Sequence, residues 1–218
     1  GPKTYQLPNS SKKLRNWTGK ECGPEGKVTL RQALAISCNT AFAWLGNELG
    51  AAAIRDQAEA FGFNSGFNIP LRAATSLFPQ DPDAPQTALS AIGQFEVRAT
   101  ALQMAMVAAS IGNSGRTMNP YLVQEIRGPD LSILQTTEPT QFEDALKPSN
   151  SLSLTEMLVN VVENGTGSNA QIAGVRVAGK TGTAQTGNDS PSVAWFISFA
   201  PAAAPKVAVA VVIEESGL

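Results

Sequence analysis

The sequence predicts an α+β fold, with helices in the earlier part of the chain and an antiparallel sheet at the end. Apolar residues recur at helical spacing before residue 172. Three later segments, 175–183, 193–199 and 207–213, alternate with period two and are rich in β-branched residues. The links between them are short and contain no helical pattern, so we expect an antiparallel meander. Helices followed by strands are typical of α+β proteins rather than of alternating units.

The 218 residues divide into three parts by composition. Residues 1–28 form a loop-rich lead-in, 29–172 a mainly helical part and 173–218 the sheet part. The lead-in is rich in Pro, Gly, Asn and Ser and has no sustained periodicity. With 43% hydrophobic residues, the chain can bury one sizeable core or two small ones.

Three capping-box patterns predict where helices begin. They are Thr29 with Gln32, Thr100 with Gln103, and Ser153 with Glu156. The first predicts one helix or two consecutive helices over 29–49, and a further helix is expected over 52–60. The proline-containing segment 64–85 is predicted to be a loop. Segments 117–127 and 130–137 are predicted to form a hairpin.

Composition excludes several classes of function. The chain contains no histidine, which excludes Ser-His-Asp and Cys-His hydrolysis and His-ligated zinc. Two cysteines are too few for a zinc cage, so neither a metal nor a cofactor is predicted. The formal charge of −2 provides no basic surface, so nucleic acid is not an expected partner.

The two cysteines, Cys22 and Cys38, are 16 residues apart. A disulfide between them would close a short loop, stabilise the fold by about 3 kcal/mol and indicate an oxidising compartment. Two unrelated free thiols are the alternative, and the sequence leaves both open.

The stretch GVRVAGKTGTA, residues 174–184, fits two incompatible patterns. It satisfies the phosphate-loop pattern G-x-x-x-x-G-K-[ST] through Gly179, Lys180 and Thr181. That loop requires a helix directly after Lys-Thr, whereas residues 182–189 contain two glycines and no helical pattern. The β-branched interior, 175–178, also resists tight bending. We therefore interpret the stretch as a strand that continues into Lys180.

In such a strand the side chains of Lys180 and Gly182 point to one face, and those of Thr181 and Thr183 to the other. Gly182 lets a ligand backbone lie against the strand. The Thr183 backbone N–H could donate to a developing oxyanion.

A second candidate feature is Ser37-Cys38-Asn39, within the first helical segment. In one continuous helix, positions two apart face about 200° away from each other, so Ser37 and Asn39 could not serve one cleft. A break in the helix would turn both side chains the same way. The alternative is an N-cap for a second helix that begins near Thr40.

Together these blocks resemble the transpeptidase domain of class B penicillin-binding proteins, and most closely its actinobacterial members. Ser-x-Asn at 37–39 is followed far downstream by Lys-Thr-Gly-Thr at 180–183. Supporting stretches are SCNTAFAWLG from 37, SAIGQFEVRATALQMAMVAASIGNSGRTMNPYLV from 90, VVENGTGSNAQIAGVRVAGKTGTAQ from 161 and AWFISFAP from 194. The resemblance covers nearly the whole chain and implies the fold shared by serine β-lactamases and D,D-transpeptidases.

The resemblance implies acyl transfer on a D-alanyl-D-alanine stem peptide. In the family, the serine of a Ser-x-x-Lys motif attacks the carbonyl of the penultimate D-alanine. The amine of a second stem peptide then displaces the enzyme. By this match Ser37 relays a proton and Asn39 bonds the donor's amide. Lys180 supplies positive potential, and Thr181 with Thr183 binds the terminal carboxylate.

The resemblance also implies a missing part. The family's Ser-x-x-Lys precedes Ser-x-Asn, and the one such pattern here, Ser10-Ser11-Lys12-Lys13, lacks an apolar helical pattern around it. We therefore expect a piece of a transpeptidase domain, incomplete at both ends, that alone neither reacts with penicillin nor turns over substrate.

The implied partners are peptidoglycan stem peptides, β-lactams and a membrane glycosyltransferase. The implied location is the extracytoplasmic face of the cell membrane, through an anchor outside these residues. Two alternatives share the fold: a serine β-lactamase, and a non-catalytic penicillin-recognising sensor or scaffold.

Overall fold

A computed structural model describes residues 1–185 and 191–216. The helices are α1 (Leu30–Ala35), α2 (Asn39–Leu49), α3 (Ala51–Ala60), α4 (Ala84–Ser90), α5 (Ala101–Gly112) and α6 (Pro148–Asn164). The strands are β1 (Thr4–Gln6), β2 (Lys13–Arg15), β3 (Arg116–Met118), β4 (Glu125–Arg127), β5 (Ile133–Thr136), β6 (Gln141–Asp144), β7 (Ala178–Ala184), β8 (Val193–Ala200) and β9 (Val207–Ile213). In the described part of the chain no helix is both long and apolar enough to span a bilayer.

The C-terminal strands form the predicted antiparallel meander, in the order β7-β8-β9. Helices α5 and α6 cover one face of this sheet. The core between them consists of Ala108, Ile111, Leu158, Val159, Ala178, Phe199 and Ala202. The sheet and the two helices thus form the rigid support for the strand that carries Lys180. The α+β prediction is confirmed.

Strand β7 begins at Ala178, three residues later than predicted. The predicted start at Val175 is wrong because Gly174 adopts a positive φ of 75° and the Val175 N–H donates to the Ile172 carbonyl in a turn. Lys180 and Thr181 lie inside the strand, which rules out the phosphate-loop geometry. Residues 186–189, where the sequence shows no helical pattern after Lys-Thr, lie outside the described residues.

The capping-box predictions have different outcomes. At Thr29 and Gln32 both reciprocal bonds form. Thr100 caps α5, but the Gln103 side chain donates to the Phe61 carbonyl instead of returning to the cap. The box at Ser153 is wrong, because α6 already begins at Pro148 and the Ser153 hydroxyl donates to the carbonyl of Ser149, four residues earlier. Serine inside a helix commonly makes this bond.

Two further predictions need correction. The segment predicted to be a loop ends in α4, which begins with a capping box formed by Asp83 and Gln86. The predicted hairpin exists as β4 and β5, whereas β3 pairs with β6. The mainly helical part, 29–172, therefore also contains two small sheets.

The lead-in packs against the start of α2 through the buried side chain of Asn16. Its amide nitrogen donates to the carbonyls of Pro2 and Lys20, and its oxygen accepts from the Thr40 N–H. Cys22 and Cys38 form a disulfide with their Cα atoms 6.1 Å apart, so the cysteines are bridged rather than free. Residues 1–28 are thus fixed on the helical part at the point where α1 meets α2.

Candidate active site

The site begins at a sharp break between α1 and α2. Ser37 has a φ of 55°, in the left-handed region that follows many helices and usually holds glycine. Its N–H donates to the Leu34 carbonyl, and the Cys38 N–H donates to the Ala33 carbonyl, which closes the end of α1. A left-handed serine costs about 1 kcal/mol relative to ordinary helical backbone. Of the two arrangements that the sequence leaves open, the structure has two consecutive helices, with the break at Ser37.

The alternative interpretation is correct about the second helix, which begins next to Thr40, but wrong about a side-chain N-cap. Cys38 is the N-cap of α2 and makes no side-chain capping bond, while Asn39 is the first residue of the helix. The Asn39 amide nitrogen donates instead to the Arg15 carbonyl, at 3.4 Å. Asn39 is therefore a half-buried residue at the break that the lead-in contacts.

Lys180 reaches across from β7 to the break. Its ammonium donates to Ser37 Oγ at 2.9 Å and to the Thr181 carbonyl at 2.7 Å. Two residues 143 positions apart in sequence thus meet directly. Burial of the ammonium lowers the pKa of Lys180 from its ordinary value of 10.5 to about 8. Near neutral pH the group is mostly charged, and it presents that charge in a partly desolvated place.

The strand after Lys180 borders the same region. β7 is an edge strand of the described sheet, since it pairs with β8 alone. Gly182 is opposite Trp195, and a Cβ at Gly182 would come within 3.2 Å of the Trp195 Cβ. Thr183 is exposed. The glycine therefore serves packing on the sheet, and access of a ligand along the strand stays a prediction.

Gly179 has a separate, structural role. A Cβ there would lie 2.7 Å from the Phe196 ring and 3.0 Å from the Ile197 carbonyl oxygen. The glycine that completes the phosphate-loop pattern is thus required by the packing of Phe196 against the strand. It has no role in binding phosphate.

Thr166 is a site residue that the sequence analysis missed. Its hydroxyl lies 2.6 Å from the Thr181 hydroxyl, and its N–H donates to the Ala35 carbonyl at 3.0 Å. One residue therefore touches both the end of α1 and the strand β7. The short Gly-Thr-Gly sequence at 165–167, directly after α6, was the available signal, because glycines on both sides permit close backbone approach.

The Ser10–Lys13 pattern does not contribute to this site. It lies in the turn between β1 and β2, and Lys13 is an exposed residue of β2 paired with Gln6. The Ser10 hydroxyl accepts from the Lys12 N–H within that turn. The structure agrees with the interpretation that these residues are not a nucleophile helix.

Comparison with known proteins gives a consistent result. Residues 2–217 match the family model of the penicillin-binding protein transpeptidase domain. The chain is 45% identical over 215 residues to the peptidoglycan D,D-transpeptidase PbpA of Mycolicibacterium smegmatis, covering 97% of this chain and 44% of that protein. It is 31% identical to the stage V sporulation protein D of Bacillus subtilis over 93% of the chain and 32% of the relative.

Solved structures agree with the sequence matches. PBPA from Mycobacterium tuberculosis superposes with a TM-score of 0.93 at 44% identity, covering 98% of this chain and 49% of that one. The D,D-transpeptidase domain from Eggerthella lenta gives 0.86 at 36% identity, covering 99% and 54%. The chain thus spans between about a third and about half of the length of these relatives. It belongs to the family of penicillin-binding protein transpeptidase domains.

Proposed function

We propose that these residues form part of the active site of a peptidoglycan D,D-transpeptidase, which cross-links stem peptides through a serine acyl-enzyme. The observation that carries this proposal is the 2.9 Å contact between Lys180 Nζ and Ser37 Oγ, which joins the family's second and third motifs. Relatives support it: PBPA of M. tuberculosis has been solved as an acyl-enzyme with ceftriaxone, at 44% identity to this chain and a TM-score of 0.95.

The chemistry follows from the donors that the site contains. A serine outside the described site attacks the carbonyl of the penultimate D-alanine and forms an ester, and the proton moves through a neighbouring lysine and Ser37 to the leaving nitrogen of the terminal D-alanine. The amine of a second stem peptide then displaces the serine and forms the cross-link. Ser37 suits the relay because its hydroxyl can accept from Lys180 and donate elsewhere.

The substrate is bound by strand β7 and by Asn39. The Asn39 amide, at the rim of the break, bonds the backbone amide of the donor peptide. Thr181 and Thr183 bond the terminal carboxylate through their hydroxyls, and Gly182 leaves room for the peptide to lie along β7. The Thr183 N–H contributes to the oxyanion hole, where a fixed donor stabilises the transition state by about 3 kcal/mol.

Lys180 supplies the positive potential for this site. A cation that contacts both Ser37 and the strand attracts the carboxylate of the incoming peptide or β-lactam. It also favours the developing negative charge on the attacked carbonyl.

The proposed setting is the cell envelope. A transpeptidase that acts on peptidoglycan works at the extracytoplasmic face of the cell membrane, beside the glycosyltransferase that makes its glycan strands. We propose that the full-length protein carries a membrane anchor and the Ser-x-x-Lys nucleophile outside the 218 residues. The 218 residues alone are then inactive, and covalent labelling of this piece by a fluorescent penicillin would contradict that.

The function can be tested on the full-length protein with two β-lactams. A fluorescent penicillin should label it covalently, and nitrocefin should be consumed slowly after a single turnover. Rapid repeated hydrolysis of nitrocefin would identify a β-lactamase instead. Labelling without cross-linking of stem peptides would identify a sensor or scaffold.

A matched pair of lysine variants tests the site itself. Lys180→Met should slow acylation about 100-fold, as removal of a fixed electrostatic donor does. Lys206→Met, at an exposed lysine before β9, should leave acylation unchanged. Equal rates in the two variants would remove Lys180 from the proposed site.

A further inference from the structure

Thr166 lies outside the family's Ser-x-x-Lys, Ser-x-Asn and Lys-Thr-Gly-Thr motifs. It directly follows Gly165, the residue that ends α6. A Cβ at Gly165 would clash with the Ala35 carbonyl oxygen, so the chain passes very close to the end of α1 here. The Thr166 N–H bonds that same carbonyl at 3.0 Å. The backbone of Thr166 is therefore fixed independently of its side chain.

The side chain of Thr166 points to the strand. Its hydroxyl lies 2.6 Å from the hydroxyl of Thr181, and either oxygen could be the donor. Each hydroxyl has one proton and two lone pairs. If Thr181 donates to Thr166, its proton is used within the protein. If Thr166 donates to Thr181, the Thr181 proton is free to bond a ligand.

A bound carboxylate selects between these two arrangements. An ionised carboxylate only accepts hydrogen bonds, so Thr181 can bind it only by donating its proton. Thr166 must then be the donor to Thr181. In such a chain each bond polarises the next, and the terminal bond to a charged acceptor is strengthened.

We propose that Thr166 is a positioning residue that makes the enzyme selective for carboxylate-terminated ligands by donating its proton to Thr181. This inference deepens the proposed function and rests on it, because it requires that Thr181 bind the carboxylate of a stem peptide or β-lactam. Thr166 acts through Thr181 and needs no contact with the ligand.

The test compares two ligands that differ only in the group that Thr181 binds, a carboxylate or its methyl ester. The full-length protein is acylated by a fluorescent penicillin with a free carboxylate and by its methyl ester, and the ratio of the two second-order rate constants is measured. Thr166→Val keeps the shape of the side chain and removes the hydroxyl. It should lower the ratio about three- to tenfold, because the charged carboxylate loses more than the neutral ester carbonyl, which accepts a weaker bond from Thr181.

Three further variants separate this role from a structural one. Thr166→Ser, which keeps the hydroxyl, should restore the ratio. In a Thr181→Val background, Thr166→Val should have no additional effect. Thr137→Val serves as the control, because the Thr137 hydroxyl bonds the Val123 carbonyl beside the β4–β5 hairpin. It should leave the ratio at its original value.

The results that would overturn the inference are specific. In Thr166→Val, an equal fall for both ligands would indicate a structural role, and an unchanged ratio would show that Thr166 does not orient Thr181. A further fall in the Thr181→Val background would indicate an independent contact with the ligand. If neither ligand acylates the unsubstituted protein, the proposed function itself fails, and this inference with it.

Discussion

The lowered pKa of Lys180 predicts a specific pH dependence of acylation. Burial places this pKa at about 8, whereas a lysine in water titrates near 10.5. If the charged form is required, acylation should fall as the pH rises through 8. About nine tenths of the lysine is charged at pH 7 and about one tenth at pH 9. The rate constant for acylation should therefore fall roughly tenfold between these values.

The same pKa predicts the opposite change in stability. Between pH 8 and 10.5 the unfolded chain holds a proton on Lys180 that the folded protein has released. The contribution of Lys180 to the free energy of unfolding therefore rises with pH across this window. It is lowest below pH 8, where the buried ammonium carries its full desolvation cost. Each pH unit between the two pKa values corresponds to about 1.4 kcal/mol. Because Lys180 is only partly buried, we expect roughly 2 kcal/mol.

The two effects can be measured on one protein. Acylation of the full-length protein by a fluorescent penicillin is followed from pH 6 to 10, and urea unfolding is measured at the same pH values. Lys180→Arg stays charged throughout, so its slower acylation should lack the decline near pH 8. A decline that persists in Lys180→Arg would belong to another group. A stability that falls from pH 8 to 10 relative to Lys180→Met would refute the assigned direction of the pKa.

Three other predictions concern the support of the site. Reducing the Cys22–Cys38 disulfide should lower the free energy of unfolding by about 3 kcal/mol, measured by urea denaturation with and without reductant, and an unchanged midpoint would contradict the loop-closure argument. Asn16→Ala leaves the buried Thr40 N–H without its acceptor and should cost about 2 kcal/mol in the same assay, whereas Asn169→Ala, at an exposed position, should cost little. Gly165→Ala places a Cβ against the Ala35 carbonyl and should slow acylation at least tenfold by moving Ser37 away from Lys180; wild-type rates would show that the break tolerates this shift.

The sheet and its site-bearing strand could be predicted because their signal is local. Period two and β-branched residues determine a strand without reference to the rest of the chain, and the position of Lys180 within β7 follows directly. The start of the strand could not be placed, because the turn at Gly174 depends on a bond between Val175 and Ile172. This four-residue turn, 172–175, leaves little mark on the period-two pattern beyond its single glycine.

The helix starts show a different limit. Ser153 and Glu156 satisfy the capping pattern, but an uncapped start five residues earlier lets Ser153 bond a carbonyl inside the helix. Pro148 was a valid start signal in the same sequence, since proline suits the first turn of a helix. Two competing signals are resolved only by packing, and residues 151, 155 and 158 of α6 are buried in the structure.

Thr166 could not be predicted because its meaning comes from contacts distant in sequence. Its partners are Ala35, more than a hundred residues earlier, and Thr181, 15 residues later. The sequence shows only a threonine between two glycines after a helix. No local pattern shows that this exposed hydroxyl bonds a threonine of β7.

The lead-in is part of the active site although it supplies no side chain proposed to touch the ligand. Ser37 in a left-handed conformation is unfavourable by about 1 kcal/mol, so the break does not persist by local preference. The disulfide at Cys38 and the bonds from Asn16 tie the following residues to the lead-in, and Thr166 ties Ala35, two residues before Ser37, to β7. The disulfide alone, at about 3 kcal/mol, exceeds the local cost. The contact between Ser37 and Lys180 is therefore a product of tertiary structure. For this reason the local sequence Ser-x-Asn does not determine the backbone conformation of Ser37.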